Sequence, residues 1–269
     1  MSEQTLTTTS ADGTTIAYQA YGAPADRPTL VLVSGATQRK EDWADLAEAL
    51  AGAGLAAVPY DRRGRGESGD TTPYAVEREI EDLAAVIAAT GGSAGVLGMS
   101  SGGALANRAA GAGLPITTLS TFETPYRVGD VPKPPDDYVE HLQQLYDADR
   151  PEEMLEYFMV AGVGQPQEQV DQMKQMPFWA SLVPVGRTVL YDALCLGGSH
   201  APLPTELLGS ITVPMLCLGS TGSPDWLRGG AEASAAAAPD GRFVVLDGDF
   251  HSAPTSVLAP VLVEHHRRA

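Results

Sequence analysis

The sequence predicts an α/β protein with a mostly parallel, doubly wound sheet and a helical segment inserted late in the chain. Short apolar runs alternate with helical patterns along most of the 269 residues. Runs that are apolar on both faces are typical of parallel strands covered by helices on each side. The segment from about Tyr126 to Leu207 breaks this alternation and contains most of the remaining aromatic residues and methionines.

Turn residues bound the predicted strands. Leu6 to Thr9 and Thr14 to Gln19 flank the turn dipeptide Asp12-Gly13, which predicts an antiparallel opening hairpin. The later strands are predicted at Leu30 to Val33, Leu55 to Tyr60, Ala94 to Leu97, Ile116 to Phe122, Pro214 to Leu218 and Arg242 to Leu246. Helical patterns lie between them at Glu41 to Ala53, Tyr74 to Thr90, Ser101 to Gly113, Leu227 to Ala238 and Ser256 to Arg268.

The inserted segment is predicted to be helical. Its entry, Val131 to Asp136, contains three prolines and is stiff and non-helical. Helices are predicted at Asp136 to Tyr146, Pro151 to Val160, Gln165 to Met176 and Arg187 to Leu196. We therefore divide the chain into a first core part at residues 1–125, a helical lid at 126–207 and a second core part at 208–269.

A candidate nucleophile lies in Gly98-Met99-Ser100-Ser101-Gly102, between an apolar strand and an alanine-rich helix. A serine at such a strand-turn-helix junction occupies a strained backbone position, and small neighbours permit the sharp turn. This context is stronger support for Ser100 than the bare spacing of glycines and serine, which is a weak signal in a chain so rich in both residues.

A serine nucleophile requires a base, and His251 is the best placed of the five histidines. It follows a predicted strand and precedes the last helix, and its imidazole could accept the serine proton. We expect His265 and His266 to form a solvated face with Arg267 and Arg268. His141 and His200 lie in the inserted segment, where a surface or pocket-lining role is expected.

Several segments together resemble the α/β-hydrolase fold family over nearly the whole chain. Thr29 to Thr37 resembles the family's third strand and oxyanion loop, with Ser34 where the family usually has histidine. Tyr60 to Gly69 is similar to the glycine-rich loop after the fourth strand, where Asp61 and the arginines from Arg62 to Arg65 are expected to be structural. The resemblance implies an α/β-hydrolase sheet with an inserted helical lid.

The third member of a catalytic triad departs from the common family pattern. The acid usually follows the seventh strand, but Gly222 takes that position here. Glu123, Asp225 and Asp249 are the alternatives, and a dyad without an acid also stays open. We favour Glu123 because it lies just past a strand end at the catalytic edge, where some haloalkane dehalogenases of this fold carry their acid. A carboxylate there would fix the imidazole tautomer and stabilise the imidazolium.

By the same resemblance, the backbone N–H groups of Ala36 and Ser101 would form the oxyanion hole. Apolar side chains of the lid are expected to line a substrate pocket, although many of them could simply pack the lid onto the core. The candidate pocket residues are Thr37, Met99, Tyr126, Tyr157, Phe158 and Trp179.

Charge and composition restrict the partners. A net charge of −17 argues against nucleic acid and anionic membranes, which would repel the protein. The N-terminal residues lack the pattern of a signal peptide, and no apolar run is long enough to span a bilayer. We expect a cytoplasmic protein, monomeric or homodimeric, that acts on a small molecule. The cysteines lack metal-ligand spacing, and no cofactor or metal is implied.

These observations predict a serine hydrolase that cleaves an ester, thioester or lactone through an acyl-enzyme. Ser100 would attack, His251 would transfer the proton and Glu123 would orient His251. An acyltransferase and a non-hydrolytic lyase or cyclase on the same scaffold stay open, because the motifs do not define the acceptor or require an acyl-enzyme. A ligand-binding protein without catalysis is a weaker alternative.

Overall fold

The computed structural model describes residues 4–23 and 28–267. Its central element is an eight-stranded sheet. The strands are β1 (Leu6–Thr9), β2 (Thr15–Tyr18), β3 (Thr29–Val33), β4 (Ala56–Tyr60), β5 (Ala94–Met99), β6 (Ile116–Phe122), β7 (Met215–Ser220) and β8 (Gly241–Leu246). All of the predicted strands are therefore present, with ends that differ by at most two residues.

The strand order is β1-β2-β4-β3-β5-β6-β7-β8. β1 and β2 form the antiparallel hairpin, and β2 is antiparallel to β4. All other neighbours are parallel. The predicted α/β class with a mostly parallel sheet is confirmed.

Helices connect the parallel strands, as is usual because parallel pairing needs a long crossover connection. In the described parts of the chain the α-helices are α1 (Ala44–Gly52), α2 (Val76–Ala89), α3 (Ser101–Gly111), α4 (Tyr138–Asp147), α5 (Pro151–Tyr157), α6 (Gln167–Lys174), α7 (Trp179–Leu182), α8 (Val189–Cys195), α9 (Thr205–Gly209), α10 (Asp225–Ala237) and α11 (Thr255–His266). No helix among the described residues is long and apolar enough to cross a membrane.

The helices from α4 to α9 all lie between β6 and β7, in the segment predicted as a helical insertion. A π-helix, Phe158–Val163, continues α5 and ends at Gly164, which has a φ of 87°. A 3-10 helix, Val183–Thr188, leads into α8. The insertion is thus built from short helices. Its predicted end at Leu207 falls within α9, which continues to Gly209.

Alternate side chains of the strands enter two separate cores, one on each face of the sheet. In β3, Val31 and Val33 pack in one core with residues of α2 and α3. Leu30 and Leu32 pack in the other core with residues of α1 and α11. Burial on both faces explains why these strands are continuously apolar.

The parallel strands end at one edge of the sheet, and loops beyond that edge carry the candidate site. Ser100 follows β5, Glu123 follows β6 and His251 lies in the loop after β8. Open α/β sheets bind their ligands at this carboxyl edge.

The last helix contains a buried histidine that sequence reasoning assigned to the surface. His266 is only 3% exposed, so the expected solvated face is wrong for this residue. Its Nδ1 lies 2.6 Å from Thr118 Oγ1 and its Nε2 lies 2.8 Å from Ser120 Oγ. Gly95 makes room for the ring, since a Cβ there would lie 2.5 Å from Nδ1. Arg268, the predicted end of the helix, lies outside the described residues.

We expect His266 to make the protein less stable in acid. Burial, with a smaller effect of His265, holds the pKa of His266 well below the ordinary value of 6.5. As the pH falls below that ordinary value, His266 binds a proton in the unfolded chain but stays neutral in the folded chain. The folded state therefore loses stability relative to the unfolded state. The free energy of unfolding should fall by up to about 1.4 kcal/mol per pH unit from this group.

Urea denaturation of the wild type and His266→Asn between about pH 7 and pH 5 isolates this contribution from the titration of carboxylates. The variant should show a shallower loss of stability across that range. Parallel pH dependences of the two proteins would contradict the assignment.

Candidate active site

Ser100 lies in the tight turn that joins β5 to α3. Its backbone has a φ of 54° and a ψ of −125°, a strained conformation for a residue with a side chain. Both flanking glycines are sterically required. A Cβ on Gly98 would lie 2.4 Å from the carbonyl oxygen of Gly102, and one on Gly102 would lie 2.3 Å from that of Val33. The sequence therefore folds here into the strained strand-turn-helix elbow that its spacing predicts.

Glu123 and His251 are in direct contact. Glu123 is fully buried, and its Oε2 lies 2.8 Å from Nδ1 of His251. The other carboxylate oxygen accepts a hydrogen bond from the Ser220 N–H at 2.7 Å. Ser223 links the pair, because its hydroxyl donates to Glu123 at 2.9 Å and accepts from the His251 N–H at 2.8 Å. These bonds fix the carboxylate and the imidazole relative to each other.

The two other candidate acids lie elsewhere. Asp225 has a side chain that is 97% exposed and pairs with Arg228. Asp249 is also exposed, and its backbone carbonyl accepts a hydrogen bond from Ser220 Oγ. Of the three carboxylates weighed from the sequence, Glu123 is the one at hydrogen-bond distance from His251.

Backbone strain is concentrated around this site. In the described parts of the chain, the non-glycine residues with positive φ are Thr37, Ser100, Glu123, Asp149, Ala201 and His251. All but Asp149 either line one cavity or contact a residue that does. Strained residues cluster at functional sites because the surrounding structure must hold the reacting groups in place.

The cavity has a volume of about 440 Å³ and lies between the carboxyl edge of the sheet and the helical insertion. Ser100 and His251 both line it, together with Ala36 and Ser101. The rest of its wall is largely apolar and comes from the carboxyl edge of the sheet and from the insertion. It includes Thr37, Met99, Pro125, Pro134, Tyr138, Phe158, Val163, Val189, Leu196, Trp226, Leu227 and Phe250. Its size and lining are typical of a site for a small molecule.

The pocket residues predicted from the sequence fall into two groups. Thr37, Met99 and Phe158 lie on the cavity wall. Tyr126 is buried beneath it, with its hydroxyl 3.4 Å from Asn107 Nδ2. Tyr157 packs against Tyr138, with ring centroids 5.4 Å apart.

Trp179 likewise lies away from the cavity wall. It is 4% exposed in a core within the insertion, and its ring nitrogen donates to Glu152 at 3.0 Å. Packing is therefore the role of Tyr126, Tyr157 and Trp179. Helical spacing alone does not distinguish residues that pack in a core from residues that line a pocket.

The loop after β3 forms part of the cavity wall beside Ser100. The Gly35 carbonyl accepts a hydrogen bond of 2.6 Å from Arg65 Nη1. In a trans peptide the following N–H points the opposite way, so the Ala36 N–H is directed away from Arg65, and Ala36 itself lines the cavity. A Cβ on Gly35 would lie 2.9 Å from that of Ser100, so only glycine allows this close approach. The Ser101 N–H, at the start of α3, is the second predicted donor.

A buried ion network supports this loop and includes an acid that sequence reasoning missed. Asp192, in α8, contacts Arg65 at 2.8 Å, Arg62 at 2.8 Å and the Ser101 hydroxyl at 2.6 Å. Arg62 also pairs with Glu79 at 2.6 Å. Burial alone would raise the pKa of Asp192, but the charges of Arg65 and Arg62 outweigh it and hold the pKa below its usual value.

The arginines of the loop after β4 predict buried acidic partners, but no local pattern identifies Asp192 as one of them. It is separated by 127 residues from Arg65. The network therefore joins the insertion to the elbow and to the oxyanion loop through a contact that only the fold defines.

We expect Asp192→Asn to lower the free energy of unfolding by about 3 to 5 kcal/mol, because Arg62 and Arg65 would each lose a buried carboxylate partner. Glu81→Gln is the matched control, since Glu81 pairs with Arg78 at the surface and should cost at most about 1 kcal/mol. Urea denaturation of the variants measures both changes. Equal losses would show that the buried network contributes no more than a surface pair.

One cluster among the described residues has the spacing of a possible metal site. Carboxylate oxygens of Glu41, Asp61 and Glu67 lie within 4.8 Å of one another. The ammonium group of Lys40 lies among them, at 2.6 Å, 2.9 Å and 2.6 Å. The Lys40 ammonium group thus occupies the position that a metal ion would take. Its ion pairs with Asp61 and Glu67 stabilise the glycine-rich loop.

Comparison with known proteins agrees with the motifs. Residues 30–258 match the model of the alpha/beta hydrolase family. The crystal structure of an alpha/beta hydrolase from Sphaerobacter thermophilus DSM 20745 is 45% identical and covers 97% of this chain and 99% of that chain, with a TM-score of 0.88. The chain therefore belongs to the alpha/beta hydrolase family, as its motifs predict.

More distant structures include enzymes described as esterases. A thermophilic esterase from Thermogutta terrifontis is 22% identical, with a TM-score of 0.70 and coverage of 98% of this chain and 97% of that chain. An esterase from Rhodococcus sp. ECU1013 is 21% identical, with a TM-score of 0.66 and the same coverage. At these identities the likeness establishes a shared fold only. No curated protein matches the sequence.

Proposed function

We propose that this protein is a serine hydrolase that cleaves a carboxylic ester, thioester or lactone of a small, largely apolar substrate. The observation that carries the proposal is the contact between the buried Glu123 carboxylate and His251 Nδ1, at 2.8 Å, in the wall of a cavity that Ser100 also lines. A carboxylate on Nδ1 holds the proton there and leaves Nε2 free to act as a base.

The proposed reaction has two halves. Nε2 of His251 takes the Ser100 hydroxyl proton as Oγ attacks the carbonyl carbon, and the oxyanion accepts hydrogen bonds from the Ala36 and Ser101 N–H groups. The imidazolium then gives its proton to the leaving oxygen or sulfur as the scissile bond breaks, which leaves an acyl-enzyme. The alcohol or thiol departs, or stays attached to the acyl group where the substrate is a lactone. Water then gives a proton to His251 as its oxygen attacks the acyl carbon, and the imidazolium passes that proton to Ser100 Oγ as the acid is released.

The surroundings support this division of roles. Gly35 and Gly102 permit close packing of the oxyanion loop against the elbow. Arg65 holds the Gly35 carbonyl, which orients the Ala36 N–H before a substrate binds. Donors oriented in advance stabilise the charge that develops on the oxygen without a cost of reorganisation.

Hydrolysis of a series of nitrophenyl esters, from acetate to decanoate, tests the proposal. Wild-type protein should hydrolyse the shorter esters, with activity declining toward decanoate because the cavity is near the small end of ligand-site volumes, roughly 300 to 1,000 Å³. A fluorophosphonate should abolish this turnover by modifying Ser100. An inert wild type whose Ser100 also resists the fluorophosphonate would reject the proposal and favour a lyase or cyclase that forms no acyl-enzyme.

A further inference from the structure

The cavity contains an arginine that the proposed reaction does not use. Arg127 follows β6, and its backbone N–H donates to the Ala201 carbonyl at 2.9 Å. The guanidinium carbon lies 3.6 Å from the ring centroid of Trp226. Both side chains line the cavity that holds Ser100.

The guanidinium is held in place by carbonyl groups. Arg127 Nη1 donates to the Pro132 carbonyl at 2.9 Å, and Nη2 donates to the Gly162 carbonyl at 3.3 Å. These bonds use only part of its set of N–H donors and neutralise no charge. Stacked on one aromatic face and anchored at two nitrogens, the group is fixed in orientation.

Arg127 makes no ion pair with a carboxylate of the described residues. The acidic residue on the cavity wall, Asp192, is already bound to Arg62 and Arg65. The cavity therefore carries an unbalanced positive charge in a protein whose net charge is −17.

Partial burial without a counter-ion is unfavourable for this cation, which is half-buried. Desolvation lowers the pKa of Arg127 from its usual value. An anion entering the cavity would restore the missing partner, and a carboxylate matches the planar fork of the guanidinium.

We infer that Arg127 binds a carboxylate of the substrate, so that the preferred substrate is an ester that also carries a free carboxylate. This inference rests on the proposed ester hydrolysis, which supplies the reacting carbonyl at Ser100. The apolar wall contacts the carbon skeleton, and the guanidinium receives the charged end.

Two matched pairs of esters test the inference on either side of the scissile bond. Nitrophenyl glutarate and nitrophenyl hexanoate differ in charge on the acyl side, and acetoxybenzoate and phenyl acetate differ on the alcohol side. For each pair the readout is the ratio of kcat/KM for the charged ester to kcat/KM for the neutral one. Arg127→Met should lower this ratio about 10- to 100-fold in at least one pair, the size expected for a charge-assisted hydrogen bond.

Two further variants separate binding from bulk charge. Arg127→Lys retains the cation and should recover part of the ratio. Lys133→Met removes a positive charge from the exposed entry of the insertion, outside the cavity wall, and should leave the ratio as in the wild type. Ratios that stay unchanged in Arg127→Met for both pairs, in a protein with wild-type melting temperature, would overturn the inference.

A binding measurement distinguishes failure of this inference from failure of the proposed hydrolysis. Calorimetric titration of Ser100→Ala with glutarate requires no turnover. Weaker glutarate binding after the added change Arg127→Met supports the carboxylate site even if no ester is cleaved. Equal glutarate binding by both proteins, or none by either, would reject the site while the ester series still tests the serine hydrolase.

Discussion

Ser100→Ala is expected to lower kcat for nitrophenyl ester hydrolysis about 10⁵- to 10⁶-fold, to the level left by binding and the oxyanion donors alone. The proposed acyl-enzyme forms on Ser100 Oγ, whereas the neighbouring Ser101 hydroxyl is bound to Asp192 at 2.6 Å. The change removes only the hydroxyl oxygen at a position whose backbone is fixed by Gly98 and Gly102, so the fold should be kept.

Steady-state kinetics and the melting temperature check this result together. Ser210→Ala, an exposed serine at the end of α9, is the matched control and should keep wild-type kcat. Substantial turnover by Ser100→Ala would place the nucleophile elsewhere.

Glu123→Gln is expected to lower kcat about 10⁴-fold with little change in KM. The side-chain amide can place an NH₂ group against Nδ1, which favours the tautomer with the proton on Nε2 and removes the base from Ser100. The imidazolium formed during attack would also lose its buried counter-charge.

Asp225→Asn and Asp249→Asn are the controls for this prediction, since both carboxylates are exposed and neither contacts His251. Both should keep kcat within a few fold of the wild type. A large loss in Asp249→Asn with activity retained in Glu123→Gln would reverse the assignment of the acid.

The parts of this molecule that depend on local pattern were predictable from the sequence. Apolar runs placed the strands, and the small residues around Ser100 defined the elbow, because backbone sterics act between neighbours. Glu123 could also be predicted as a neighbour of His251, on weaker grounds. Parallel strands end at one edge, so a residue just past β6 was expected near residues that follow β5 and β8.

Contacts between residues far apart in the sequence could not be predicted from local sequence patterns. Asp192 and Arg127 depend on how the insertion sits against the sheet, and neither position carries a local signal. His266 appeared solvated because it neighbours charged residues, yet Thr118 and Ser120 in β6 bind its ring. Tyr157 and Trp179 are aromatic residues of the insertion, as Phe158 is, and the helical pattern does not show which of the three lines the cavity. Tertiary packing decides whether such a residue lines the cavity or fills a core.

The central claim is that Ser100 forms an acyl-enzyme with help from His251 and Glu123. Rapid acid quench of the protein with a nitrophenyl ester, followed by mass spectrometry of the intact chain and its peptides, tests it most directly. We predict an added mass equal to the acyl group, located on Ser100 in the wild type and absent from Ser100→Ala. Ester turnover without any acylated serine, or with the acyl group on another residue, would contradict the account.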